Sequence, residues 1–395
     1  MPLLRVLSLH TRYLQPGGED RVFEEEAEML RVRGHAVECL DLSNEPLTQI
    51  GNLRAAAATV WNRTTARALR ERIGAFKPDV VHIHNDFPWT SPSVYPAATR
   101  AGAAVVHTLH NFRNLCANGL FFRDGRVCED CLHDPLSKAA IRHACYRGSR
   151  GASAATAARR LVHKARGTWR LDVALFLAPT ELVRDRHVAG GFPADRVVVK
   201  PHFVRGTPAA GPGDGGYALF VGRLMPDKGL DRLLAAWRGL PGTLRLRIVG
   251  DGPLRDAAEA AAADPARRID LLGPQKPDAI HGLLQGAALA IVPSPVYESF
   301  GRVVVEAFAA GTPVLAPDHG SPGVLIADGV TGWTYRFDGD DALHHKLTEL
   351  LADPHPGAAL RPAARSAFEE RFTEDANYTQ LIAAYDQARA THANA

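Results

Sequence analysis

Short apolar runs alternate along the first half of the chain with longer stretches whose apolar residues recur at helical spacing. Val6 to His10 is such a run; a Gly17-Gly18 turn follows, then a helical stretch from Glu19 to Arg33 and a second run at Ala36 to Leu42. Ala55 to Phe76 reads as a helix, Val80 to His84 as a strand, Ser91 to Ala101 as a helix and Ala104 to Leu109 as a strand. Strands that are apolar throughout are buried on both faces, so this alternation predicts a parallel sheet covered by helices on two sides. The pattern lapses over about 110–150 and resumes with an Ala- and Arg-rich helix to Arg170 and strands at Val173 to Ala178 and Val197 to Lys200.

Residues 205–216 hold mostly Gly, Pro and small residues and read as an interdomain linker. A second α/β series begins at Tyr217, with strands at Ala218 to Val221, Leu244 to Val249, Ile269 to Leu272, Leu289 to Val292 and Val314 to Ala316. The 395 residues are thereby divided into a first Rossmann-like domain at 1–204, the linker, a second Rossmann-like domain at 217–372 and a final helix within 373–395. The amphipathic stretch Ala376 to Arg389 is expected to pack back on the first domain. Two open parallel sheets are expected to bind a ligand beyond the carboxyl ends of their strands, in a cleft between the domains.

Composition adds three things. No apolar run approaches the roughly eighteen residues of a membrane span, and the start of the chain lacks the zones of a secretion signal, so a cytoplasmic protein is expected. The balance of 46 basic against 43 acidic residues, net +3, is too even for the whole surface to bind a polyanion. Yet Pro135 to Leu171 carries Lys138, Arg142, Arg147, Arg150, Arg159, Arg160, Lys164, Arg166 and Arg170 with no acid among them. Such a run is a solvated face or a surface that meets anionic lipid or a polyprenyl-diphosphate acceptor. Finally, Cys116, Cys128, Cys131 and Cys145 fall inside the irregular stretch with the spacing C-x11-C-x2-C-x13-C. In a reducing compartment this fits a structural tetrahedral zinc, with an iron–sulfur cluster or ordinary thiols and disulfides as the other readings. His133 and His143 are possible substitutes for one thiol, and Cys39 reads as a small buried residue of an apolar strand.

Two segments carry the chemistry. At the end of one second-half strand, a loop holds Glu298, and a helix starting near Phe300 and Gly301 holds Glu306. Eight residues of mostly helical chain set the carboxylates roughly 10 Å apart. That span suits a ligand with sugars at both ends of a diphosphate, the helix start facing the phosphates. At the end of another strand, Gly222, Arg223, Lys228 and Gly229 form a loop with two cations, suited to neutralising a departing diphosphate. His82 and His84 share one face of a strand and lack an evident third ligand, so they read as structural or cleft-lining. Asn85 and Asp86 are candidates for acceptor contact, and Asp20 for a cap on the helix after the glycine turn.

Taken in order, these motifs resemble the retaining glycosyltransferases of family 4, with the GT-B fold: E-x7-E at Glu298 and Glu306, G-R-x4-K-G at Gly222 to Gly229, the glycine turn Gly17-Gly18, and His110 after a first-domain strand. Gly250 to Pro253, Gly311 to Val314 and Gly329 to Gly332 match further turns. The resemblance covers nearly the whole chain, and the four-cysteine insertion would mark a subgroup. It implies two Rossmann-like domains with parallel sheets facing a central cleft. It implies a hexosyltransferase moving a sugar from a nucleotide sugar, UDP-linked first and GDP-mannose next, to a cell-envelope, exopolysaccharide or lipid-linked glycan. In that role Glu306 would bind the ribose, and Glu298 with the N–H groups of Phe300 and Gly301 the donor sugar. Arg223 and Lys228 would hold the diphosphate, His110 would lie near the transferred sugar, and Gly17 and Gly18 would let backbone approach the ligand. No catalytic metal is implied. The base would be met near Leu272 to Gln275. The competing classes are a sugar-nucleotide epimerase or hydrolase of the same fold and a zinc-containing nucleic-acid binder; with the donor motifs intact, no nucleic acid is expected.

Overall fold

The computed structural model describes residues 2–14, 17–339 and 341–394. They form two compact units, one of Met1–Arg123, Cys128–His202 and Asn377–Ala395, the other of Phe203–Ala376 with Asp124–Val127.

The first unit is built on strands β1 (Arg5–Arg12), β2 (Ala36–Ser43), β3 (Val80–Ile83) and β4 (Ala104–Thr108). After the two-residue strands β5 (Phe122–Arg123) and β6 (Arg126–Val127) come β7 (Leu175–Ala178) and β8 (Val197–Val199). The six long strands are parallel in the order β2-β1-β3-β4-β7-β8. Val80, Val81, Ile83 and Leu175 to Ala178 are fully buried, the reason these runs carry no polar alternation. β2 is an edge strand and half exposed, so Cys39 is exposed rather than buried and meets Arg31 Nη2 at 3.1 Å.

The long helix expected over Ala55 to Phe76 is two helices, Asn52–Val60 and Arg63–Phe76. The break is made by Asn62, whose side chain accepts from the N–H groups of Thr64 and Thr65, a cap that a run of alanines and arginines conceals. The Ala- and Arg-rich helix likewise ends at Ala165, because Gly167 adopts φ +69°. The last helix, Glu374–Ala393, extends into the first unit, where Tyr385 bonds His82 and Asn377 bonds the carbonyl of Pro201.

The second unit holds β9 (Tyr217–Val221), β10 (Arg245–Val249), β11 (Ile269–Gly273), β12 (Leu289–Ile291), β13 (Val314–Pro317) and β14 (Gly332–Tyr335). They too are parallel, in the order β11-β10-β9-β12-β13-β14. Leu230, Leu233, Trp237 and Leu347 pack on one face of this sheet, Val304, Phe308 and Phe368 on the other. The strand β14 has no counterpart in the sequence pattern, because Gly332 to Tyr335 is short and only half buried.

The glycine-rich stretch 205–216 is hydrogen-bonded within the second unit. Gly211 N donates to Ala310 O at 3.0 Å, Gly213 N to Gln285 O at 2.9 Å and Gly215 N to Gly286 O at 2.9 Å. A Cβ at Gly211 would stand 2.4 Å from Cβ of Gln285, so glycine serves close backbone approach there.

Candidate functional site

In an open parallel sheet, neighbouring strands whose connections leave in opposite directions open a crevice at their carboxyl ends. In the second unit that point lies between β9 and β12. The loop after β9 carries Gly222, Arg223 and Lys228; the loop after β12 carries Glu298. The fold therefore brings the two motifs together: Lys228 Nζ donates to Glu298 Oε1 at 2.7 Å. Burial pushes the Glu298 carboxyl up, but the charge and hydrogen bond of Lys228, helped by Ser294 and Arg223, outweigh it and hold the group below its ordinary value. Arg223 is half exposed and only loosely tied, to Asp227 at 3.5 Å, so its guanidinium is free to meet an anion.

Backbone contacts lock these loops. Ser294 Oγ donates to Asp227 O at 2.7 Å, and a Cβ on Gly229, which has φ +72°, would lie 2.1 Å from Pro293 O. Gly250 is similarly required, since its Cβ would fall 1.8 Å from Gly222 O. The helix Arg302–Ala309 begins two residues later than expected because Gly301, at φ +86°, is its cap. Phe300 is buried, and Glu306 is paired with Arg302 at 3.2 Å. Beyond β11, Gln275 Nε2 donates to Leu272 O at 2.8 Å.

In the first unit the reversal lies between β1 and β3, and its loops hold Gly17, Gly18, His84, Asn85 and Asp86. Gly17 is extended, at φ −134°, and no described atom lies within 4 Å of where its Cβ would be, so neither conformation nor packing demands a glycine there. Asp20 accepts the Gly17 N–H at 2.6 Å, closing the helix start, and its other oxygen meets His10 Nε2 at 2.6 Å. Asp86, a candidate for acceptor contact, is instead spent on an internal pair: it is buried, and both its oxygens accept from Arg159 Nη2, at 2.7 and 3.0 Å. His110, after β4, is buried, its Nε2 3.0 Å from His84 Nδ1, its ring stacked 5.1 Å from that of His202. Burial, reinforced by the neighbouring histidines, holds it well below the usual histidine value.

Several residues of this region went unread in the sequence. Glu19, beside the glycine turn, faces the amides of Asn85 at 3.5 Å and Asn111 at 3.3 Å, and burial pushes its carboxyl up to about 7. Glu26 and Lys200 form a fully buried ion pair next to His82 and His84. The adjacent acids after Gly18 were a signal for Glu19; nothing local marks a glutamate on an amphipathic helix as paired with a lysine 174 positions away.

All four clustered cysteines are unpaired and line one pocket with Ala117, Asn118, Phe122, Arg123 and Ala140. His133 and His143 are exposed and do not line it, so they are not substitutes. Burial raises the thiols of Cys128, Cys131 and Cys145, Cys131 to about 11. Arg160 clamps the loop by donating to the carbonyls of Leu115 at 3.0 Å and Leu132 at 2.8 Å. Thus two of the nine cations of the basic run, Arg159 and Arg160, are buried structural groups, while the other seven are exposed. No helix among the described residues is long and apolar enough to cross a membrane.

Residues 8–202 match the glycosyl transferase 4-like domain and residues 209–370 the glycosyl transferases group 1 family. The chain belongs to the glycosyl transferases of these two families. A Mycolicibacterium paratuberculosis protein named D-inositol 3-phosphate glycosyltransferase is 36% identical to this glycosyl transferase over 187 residues, 45% of this chain and 41% of that relative. The lipopolysaccharide 1,2-N-acetylglucosaminetransferase of Salmonella typhimurium is 36% identical over 148 residues, 34% of this chain and 39% of that one. The aligned part thus spans about two fifths of these curated relatives. Among solved structures, sucrose-phosphate synthase of Thermosynechococcus elongatus superposes with a TM-score of 0.69 at 18% identity, covering 98% of this chain and 99% of that one. Anabaena HepE, solved with UDP and glucose, gives 0.64 at 18% identity over 96% and 98% of the two chains. The fold of this glycosyl transferase is GT-B, two α/β domains with parallel sheets.

Proposed function

We propose that this chain is a retaining hexosyltransferase of family 4 that moves a sugar from a nucleotide-diphosphate sugar to a hydroxyl of a cell-envelope, exopolysaccharide or lipid-linked glycan. The observation that carries this is the Lys228–Glu298 pair beside half-exposed Arg223 at the strand-order reversal of the second unit. A diphosphate arriving there would take over both cations and leave Glu298 to accept hydrogen bonds from the donor sugar, with Phe300 and Gly301 at the helix start. Glu306 would accept from the ribose. As the bond to the sugar breaks, negative charge grows on the departing phosphate, where Arg223 and Lys228 stabilise it. The leaving phosphate takes the acceptor proton on the same face, so configuration is retained and the cations serve where other enzymes use a divalent ion. Gly17, Gly18 and His110 of the first unit belong to the acceptor and transferred-sugar side of this reading. UDP-sugars are favoured over GDP-mannose, in line with HepE having been crystallised with UDP and with UDP-glucose.

The test is a thermal-shift screen against UDP, GDP and their sugars, followed by transfer assays with and without EDTA. A ligand at 100 times its dissociation constant adds about 2.7 kcal/mol. Stabilisation by UDP, transfer that needs an acceptor and survives EDTA, and a product of unchanged anomeric configuration are expected. Acceptor-free turnover would replace transfer by epimerase or hydrolase chemistry.

The cysteine pocket fits a structural metal in its donor set, four unpaired thiols with no competing base. Cys116, Cys128, Cys131 and Cys145 would hold zinc, which would close the loop after β4 and take no part in transfer. Among the described residues the trio of candidate metal ligands within 4.8 Å of one another is Glu26, His82 and His84. Elemental analysis should find about one zinc per chain, and a colourless protein excludes the iron–sulfur reading. The seven exposed cations of 138–170 would bring the protein to an anionic membrane surface; sedimentation with anionic vesicles that fails at low salt overturns this.

A further inference from the structure

The first unit holds two clusters of metal-ligating side chains, and they differ in what their ligand atoms already do. In the trio of Glu26, His82 and His84, Lys200 pairs with the carboxylate, and both nitrogens of His82 are engaged, by Tyr385 at 2.9 Å and Thr108 at 2.7 Å. In the cysteine pocket, three of the four sulfurs face donors. The Asp130 N–H bonds the sulfur of Cys128, the Ala140 N–H that of Cys131, and the Arg123 side chain, which lines the pocket, that of Cys145. An N–H aimed at sulfur favours the thiolate, the form that ligates a metal, and can go on bonding that sulfur once the metal is in place.

Cys116 is arranged the other way. Asn118 Nδ2 donates to Phe122 O at 2.8 Å, and Leu120 N donates to Asn118 Oδ1 at 2.9 Å, a pair of bonds that fixes the orientation of the amide. Its oxygen therefore faces Cys116 Sγ at 3.0 Å, and an amide oxygen only accepts, so Cys116 is a thiol that donates its proton. A thiolate in that position would meet a lone pair instead. Cys116 also comes from a different part of the chain, directly after the loop that follows β4, where Arg160 holds the Leu115 carbonyl at 3.0 Å.

We propose, resting on the zinc reading of this pocket, that the site is built three-plus-one: Cys128, Cys131 and Cys145 take the metal first, and Cys116 is the closing ligand, held off by Asn118 until the metal is seated. The closing step breaks the Sγ–H bond of Cys116, passes the proton to solvent and forms the bond from Sγ to the metal. It ties the loop after β4 to the segment 128–145, and because it gives up the contact with Asn118, Cys116 is the ligand that leaves first when the metal is withdrawn.

The test uses the full chain, stripped of metal by a chelator under a non-thiol reductant and titrated with Co2+ as a coloured stand-in for zinc. The intensity of the sulfur-to-cobalt absorption follows the number of Co–S bonds, so Cys116→Ser should still take up the ion with about three quarters of the native intensity. Cys131→Ser should lose uptake. Should the Cys116 variant not fold, the unmodified chain tests the same point. Loaded with zinc and treated with iodoacetamide, it should be alkylated at Cys116 before Cys128, Cys131 and Cys145, with exposed Cys39 as the reference for an open thiol. Equal loss of uptake in the two variants, full intensity in Cys116→Ser, or alkylation of the four cysteines at one rate overturns the three-plus-one order and leaves zinc binding standing. A native chain that takes up neither ion overturns the zinc reading, and this proposal with it.

Discussion

The two units solve the same architectural problem with different interiors. The first buries nine histidines, His10, His35, His82, His84, His107, His110, His163, His187 and His202, together with Asp86, Arg159, Arg160, Glu26 and Lys200. The second, among its described residues, buries no charged residue; besides its tyrosines and Trp237, the polar residues it buries are Ser294, Thr312, Ser321 and Thr331. Its charged groups, Arg223, Lys228 and Glu298, stand on loops at partial exposure. The contrast separates two uses of charge. In the second unit, charge is left where a ligand can reach it and the core is apolar. In the first, charge is part of the core and holds loops that no apolar cluster would hold.

The largest expected effect of this difference is acid lability confined to the first unit. Burial lowers His107 and His163 to about 4 and His187 to about 3, against an ordinary value of 6.5. The unfolded chain then takes up protons below pH 6.5 while the folded unit does not, so stability present above 6.5 is lost as pH falls toward 4, by an amount on the order of several kcal/mol. Hydrogen exchange read by mass spectrometry should show first-unit amides losing protection over pH 6.5 to 4 before those of the second unit; simultaneous loss would break the comparison. Next, Arg159→Leu leaves Asp86 buried without its cation and should destabilise the first unit by about 3 to 5 kcal/mol in urea titrations. Arg223→Ala should do the reverse, lowering kcat roughly 100- to 1000-fold while the melting temperature stays within about 2 °C. The smallest effect concerns Glu19. With a folded value near 7 against an ordinary 4.5, it binds a proton that the unfolded chain has released, so stability falls as pH rises from 4.5 to 7. Glu19→Gln should flatten that slope, measurable as melting temperature against pH.

How far the molecule was legible in its sequence follows the same division. The parallel sheets were visible because Val80 to Ile83 or Leu175 to Ala178 are apolar on both faces, and the Arg223 and Glu298 segments because loop chemistry is local: a few adjacent residues carry the cation pair and the carboxylate. Helix breaks at Asn62 and Gly167 were hidden inside helix-forming composition. Least visible was the buried network of the first unit. Glu26 lies on one helix, His84 after β3 and Lys200 after β8, so only the strand order brings them together. Asp86 and Arg160 show the complementary error, polar residues that look available and are spent on internal contacts.

The strap of glycines at 211, 213 and 215 bears on how this chain can be divided. Its amides meet the carbonyls of Gln285, Gly286 and Ala310, which belong to the carboxyl-terminal ends of the helices Pro277–Gly286 and Arg302–Ala309. Two helix ends are thereby finished by backbone from a segment that composition alone would discard as spacer. A truncated gene encoding the second unit from residue 217 would strip those carbonyls of their backbone donors, leaving Gln285 and Ala310 with the Arg361 guanidinium, whereas one beginning at Phe203 would carry its own caps.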